Sequence, residues 1–380
     1  MKNYLIFILL LCVFFCGCRG IKKMSKPDVR VIDTGIKSHI FSVNKNENYF
    51  QIRDENGKIS FWNRKGKCFF DQKEAEKNLS GQKLEKNRLF FGKENFIVDD
   101  KNKLIVGWNK GDSTLTYFRI ADNKVITDRR LYRRGKIVDI EFAENREEAY
   151  YTVRLDNRIA CCYRYKGKGL KFCRINNLER AVCVNYRKLP DFYFITDDGC
   201  YYKGNISEQE NTKLGFKIDN IKNCKIYPLG HFGFLIMDEM GFYGLDYDSN
   251  ILFYNLFSEK DTFDKVRGIC SENGNYMVFE KTSIFTKDNK KLTEKTVSLY
   301  DYQEEKEVWT KGSLFNSVEC LGVSDSGDII IRDNNRLVKY NADYMPVDEY
   351  EFKGNIICCQ GTEKCIYVYT DYNLVYVITL

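Results

Sequence analysis

Only two imidazoles, His39 and His231, occur in 380 residues, and this scarcity bounds the chemistry before any fold is considered. Catalytic metal sites commonly draw on several histidines, and structural zinc needs four closely spaced Cys or His ligands. Cys161, Cys162 and Cys173 come nearest to such a set. Neighbours in a strand face opposite sides, however, so Cys161 and Cys162 diverge and no fourth ligand is marked. A Ser-His-Asp arrangement would have to use His39 or His231. The chain has neither a Gly-x-Ser-x-Gly nucleophile elbow nor a phosphate-binding Gly-rich loop ending in Lys-Ser or Lys-Thr. The acidic pairs Asp99-Asp100, Asp197-Asp198 and Asp238-Glu239 are the remaining candidates for acid-base work on a glycan. Asp197-Asp198-Gly199 and Asp99-Asp100-Lys101-Asn102 also fit hairpin turns, and that reading is preferred. Asp325-Ser326-Gly327-Asp328 is too short for a calcium loop. The expectation is a protein without catalytic, metal-ligating or cofactor-binding residues.

Cysteine is nevertheless abundant, at fifteen residues. Many lie in strand-like text, such as Cys68, Cys183 and Cys358-Cys359, and read as small buried hydrophobes, with one to three disulfides allowed. Aromatic residues make up 15% of the chain; Tyr150-Tyr151, Tyr201-Tyr202, Phe242-Tyr243 and Trp62 supply candidate contacts to a protein or sugar where they face outward, although most are expected to be core or cross-strand partners. The net charge of +7 comes from 60 basic and 53 acidic residues interleaved along the chain, which is a solvated surface rather than a nucleic-acid footprint. The densest basic cluster, Arg129-Arg130 with Arg133-Arg134, reads as an exposed loop, with anionic headgroups or an acidic partner as its alternative contact.

The N-terminus carries a different message. One lysine, Lys2, precedes an apolar run from Tyr4 to Phe15, followed by Cys16-Gly17-Cys18 and the polar start Arg19-Gly20-Ile21-Lys22-Lys23. About a dozen apolar residues are too few for a comfortable membrane span and fit a secretory signal. The segment resembles the processing site of bacterial lipoproteins, which implies cleavage after Gly17 and acylation of Cys18. Residues 1–17 are then signal, 18–28 a lipidated tether and 29–380 the folded domain. Several acyl chains, at about 0.8 kcal/mol per buried CH₂, would anchor it firmly. The expected location is the bacterial cell envelope, at the outer membrane in a Gram-negative cell.

Beyond the tether, apolar strands alternate with polar turns. Ser317–Val323, the turn 324–328, Ile329-Ile330-Ile331, the turn 332–335 and Arg336–Tyr340 form one clear copy. Related starts fall near Ile40, Phe91, Ile137, Val182, Lys225, Val266, Val318 and Ile356. Their spacing of about 45 residues is that of four-stranded propeller blades. The last unit has only three strands before the chain ends, and Val29-Arg30-Val31-Ile32-Asp33 is available as its fourth. The expectation is all-β: a propeller of eight blades, with seven as the alternative count, its ring closed by an N-terminal strand. Residues 71–86 read as a short helix or long loop inserted in blade one, and 281–307 as an extension of the sixth unit.

The repeat resembles propeller families in general. It lacks the Gly-His and Trp-Asp signatures of tryptophan-aspartate repeats. A lipid-anchored eight-bladed shape also looks like the scaffold subunit of the machinery that inserts outer-membrane barrels, although that family's Asp-x-x-Thr-Gly-x-x-x-Trp repeat is missing. Together these features imply an envelope binding scaffold, monomeric outside any complex, with the membrane and a protein or envelope glycan as partners and nucleic acid excluded. A glycan- or peptide-active hydrolase and a purely structural lipoprotein are the alternatives.

Overall fold

In the computed structural model, residues 29–380 are described except 45–46, 145–146, 157–159, 167–168, 187–188, 231, 239, 257–264, 288–289, 305 and 315–317. The signal, the tether and Cys18 lie outside the described residues. Eight antiparallel four-stranded sheets follow one another along the chain: residues 38–71, 95–128, 137–173, 181–217, 225–256, 265–314 and 318–350 form blades 1 to 7. Blade 8 takes three strands from 356–379 and its fourth from Val29–Asp33. Val29 stands opposite Ile378 and Asp33 opposite Leu374, so the two ends of the domain are one pair of strands.

The ring follows from burial on both faces of each blade. Consecutive strand residues alternate faces, and here both faces meet another sheet. Tyr151 packs in the core between blades 2 and 3, while Tyr150 packs between blades 3 and 4. In blade 8, Cys358 borders the core shared with blade 1 and Cys359 the core shared with blade 7. Eight such cores occur, one in each gap between neighbouring blades, including the gap between blades 8 and 1. Closure therefore leaves no apolar sheet face without a neighbour, and eight is the blade count.

The first strands of blades 4 to 8 and of blade 1 touch in succession, which places first strands at the axis and fourth strands at the rim. Turns between first and second strands gather on one side of the ring. Turns between second and third strands, and the connections between blades, gather on the other.

Both inserted segments resolve as regular structure. Two helices, Gln72–Glu76 and Gly81–Phe91, join blade 1 to blade 2. Asp71 starts the first by accepting hydrogen bonds from the Lys73 and Glu74 amides. The second buries Phe90 and Phe91 against Phe70, Phe96 and Phe118. Phe91 thus ends a helix, and the blade it was expected to open starts at Asn95. In blade 6, the strands Tyr276–Lys287 and Lys290–Asp301 form a hairpin that runs five residues past the end of the inner strand, which pairs only to Thr282.

Candidate functional site

The carboxylate pairs do not converge. Asp99 is buried at the first turn of blade 2, where it accepts hydrogen bonds from the Asn102 amide at 2.9 Å and the Asn102 side chain at 2.8 Å, and from Tyr151 of blade 3. Asp100 pairs with Lys103. Burial pulls its carboxyl upward, but hydrogen bonds from Lys103 and Tyr49 outweigh this and hold it below the ordinary carboxylate range. Asp197 and Asp198 sit on the other side of the ring in blade 4, both facing Arg180 at 2.8 and 3.1 Å. The Thr196 hydroxyl donates to Asp198 at 2.6 Å and, with Arg180, keeps that acid strongly ionised. Asp238 receives the Met240 and Gly241 amides at 2.8 and 2.9 Å; Glu239 lies outside the described residues. Each described carboxylate is engaged by hydrogen bonds or an ion pair at its turn.

The other candidates are also accounted for. His39 lies on the inner strand of blade 1, and His231 outside the described residues. Cys161 and Cys162 share a strand, and Cys162 stands opposite Cys173. None of the eleven cysteines whose side chains are described forms a disulfide. Burial pushes the Cys183, Cys320 and Cys359 thiols up to about 12, which leaves them poor nucleophiles. Among the described residues, no group of three or more His, Cys, Asp or Glu could hold a metal ion. The aromatic candidates fall to the preferred core reading: Tyr150, Tyr151, Tyr201, Phe242 and Tyr243 are buried, and Trp62 stacks on Phe50 while donating to Ser60 at 2.9 Å. Because each blade is covered on both faces, alternation sends these rings into two cores instead of one core and solvent. Arg130 is held by Asp128 and lies 5.3 Å from the Tyr163 ring centre, so the basic cluster is partly committed to the connection it occupies.

Sequence reading missed a contrast between the two ends of the axis. At one end the first turns are tied together across the ring. Lys364 of blade 8 pairs with Glu272 of blade 6 at 2.5 Å, spanning blade 7. The Gly230 carbonyl of blade 5 accepts from Asn185 of blade 4 at 3.0 Å, and the Asn273 amide of blade 6 donates to Asp325 of blade 7 at 2.9 Å. A Cβ added at Gly230 would lie 2.9 Å from the Glu363 carboxylate of blade 8, so these turns approach closely. The signal available in the sequence was the recurring Gly, Asn and Asp of these turns.

At the opposite end the inner strands are irregular. Those of blades 1, 3, 4 and 8 each shift register by one residue near their start, and that of blade 7 does so at buried Leu321, past its middle. A bulge re-aims a side chain, and here it leaves Val138, Val182 and Ile357 exposed at the start of innermost strands, with Ile40 beside them in blade 1. The result is a partial apolar collar at the axis, contributed by blades 1, 3, 4 and 8, on the side that also carries the long blade 6 hairpin. That hairpin exposes Lys290, Ile284 and Leu292, while Lys295 pairs with Glu280 at 3.0 Å. A groove of about 410 Å³ opens on the same side, between Asp197-Asp198 and residues 217–223.

No family model matches the chain, and no curated protein matches it in sequence. Solved structures do match in shape. The WD40 domain of SCAP from fission yeast aligns with a TM-score of 0.57 at 10% identity, covering 92% of this chain and 94% of that one. The dihydro-heme d1 dehydrogenase NirN aligns with a TM-score of 0.52 at 9% identity, covering 84% of this chain and 72% of that one. BamB from Moraxella catarrhalis covers 92% of this chain and 98% of its own at 8% identity, with a TM-score of 0.48 that carries no argument. These likenesses define the class of protein as a β-propeller distantly similar in shape to WD40 propellers.

Proposed function

We propose that the chain is an exported envelope lipoprotein, acylated at Cys18, whose propeller binds a protein partner through the collar side of the ring. The observation that carries the binding role is the collar. Val138, Val182, Ile357 and Ile40 are exposed at the axis of a ring whose other apolar strand residues are largely buried. Exposed apolar side chains grouped at one end of an otherwise well-buried fold mark a contact surface. The blade 6 hairpin extends that side and adds an exposed lysine, Lys290, beside apolar residues, a combination that joins contact area with charge steering. Support for the anchor is the sequence alone: a short apolar run, Gly17-Cys18, and a polar tether leading to Val29. Among the described residues, no helix is long and apolar enough to cross a membrane.

In-cell crosslinking followed by detergent solubilisation and mass spectrometry tests this reading, with Cys18→Ala as control. A defined partner recovered with the wild type and lost from the control supports an anchored scaffold. No enrichment in either form contradicts protein binding and directs the search to glycans.

A further inference from the structure

The rim of the ring offers eight outermost strands, and a strand edge is a template for pairing with another chain unless something blunts it. Charge or proline does so in seven of them. The outer strands of blades 1 to 4 contain Asp71, Lys124 with Asp128, Lys171, and Glu210 with Lys213 and Lys217. Those of blades 6, 7 and 8 carry Lys306 and Glu307, Pro346 with Asp348, and Arg30 with Asp33.

Blade 5 is the exception. Its outer strand, Ile251–Leu256, reads Ile-Leu-Phe-Tyr-Asn-Leu and has neither. Ile251, Tyr254, Leu256 and the adjacent Met240 are each 51–61% exposed. The strand bonds to its inner neighbour only, and no other described strand pairs with its outer side. From Phe253 to Leu256 alternate backbone amides and carbonyls point away from the sheet, and a register shift at Leu252 interrupts that alternation near the start of the strand.

We infer that the outer edge of blade 5 takes up, as a fifth strand, an extended segment of another protein with an apolar centre and basic residues at both ends. This rests on the scaffold reading and names a second contact surface for it. The charge requirement comes from the ends of the strand. Asp246 and Asp248 lie in the turn before Ile251, and Asp238 lies beside Gly241, the residue opposite Leu256. The Asp246 and Asp238 carboxylates accept only hydrogen bonds from their own turns, while Asp248 interacts electrostatically with Lys203, whose ion pair is with Asp191. A neutral edge between two acidic ends favours Lys or Arg flanking the incoming strand. Area argues against a second copy of the ring as the occupant. Two rigid walls meeting along one six-residue edge, about 20 Å long, cover far less than the roughly 1,200 Å² of a stable association. An extended segment gains its main-chain bonds along the whole edge without needing a broad flat contact.

The test uses the full-length protein in detergent and a fluorescent peptide, Lys-Lys-Val-Thr-Val-Thr-Val-Thr-Lys-Lys. Saturable binding by anisotropy is expected, with slowed amide exchange confined to 251–256. Affinity should fall at least about tenfold in the double variant Ile251→Lys, Leu256→Lys, and fall for the same peptide with Glu at its ends. Thr212→Lys, on the outer strand of blade 4, controls for charge elsewhere on the rim and should bind as the wild type does. Because Ile251 and Leu256 are exposed, both variants should melt with the wild type, which separates lost binding from lost fold. No saturable binding, equal binding by the double variant, or equal binding of the Glu-flanked peptide overturns the inference. If the peptide fails while the in-cell partner is still recovered, the edge is excluded and the scaffold reading stands.

Discussion

At the scale of single residues, the polar side chains that looked most chemical hold the backbone. Asp198 shows how. Its carboxyl is stabilised as the anion by Thr196, the Cys200 amide and Arg180. A carboxyl depressed in the folded state contributes stability above its unfolded pKa of about 4 and loses it as pH falls toward the folded value. Acid melts should therefore show a stability loss below about pH 4 that is smaller in Asp198→Asn, which retains the turn without the titrating group. An unchanged acid limb in that variant would remove Asp198 from the account. The sequence alone made the turn reading of this pair available, because Asp-Gly after an apolar run has a local meaning. It did not reveal Arg180, which lies in the connection between blades 3 and 4 and meets the pair only after blade 4 has folded.

At the scale of elements, spacing in the chain was legible where turns are short. Seven of the eight expected starts fall within two residues of an inner strand's first residue. The eighth, Phe91, falls in a helix instead. Its run of Leu89-Phe90-Phe91 has the composition of a buried strand, yet it closes a helix. A short apolar run has no periodicity of its own to separate the two. The same ambiguity hid the outward aromatic candidates, since an alternating strand covered on both sides looks like one with a wet face. The helix is more than a linker: Phe90 is buried, stacks on Phe118 and meets Phe96 edge-on. Phe90→Ala should cost about 3–5 kcal/mol in urea unfolding, whereas Leu89→Ala, at an exposed position of the same helix, should stay near wild type. Equal effects would mean that the helix does not pack on blade 2 as described.

At the scale of the whole molecule, closure explains both the count of blades and the division of labour between the two sides. Strand Val29–Asp33 joins the last blade, so a chain emerging from the tether enters the ring beside its own C-terminus. That pairing was legible because the final unit is one strand short. The bulges behind the collar were not, since an extra residue in a strand leaves no mark in a pattern of apolar residues. With one axial end braced by Lys364, Glu272 and their neighbours, the account assigns partner contact to the opposite end. The most direct measurement of that claim is photocrosslinking in intact cells from a reactive residue placed at Val182, compared with one placed at Asp325 on the braced side. One defined adduct from Val182 and none from Asp325 is expected. Adducts of equal yield from both positions, or an adduct from Asp325 alone, would contradict that claim.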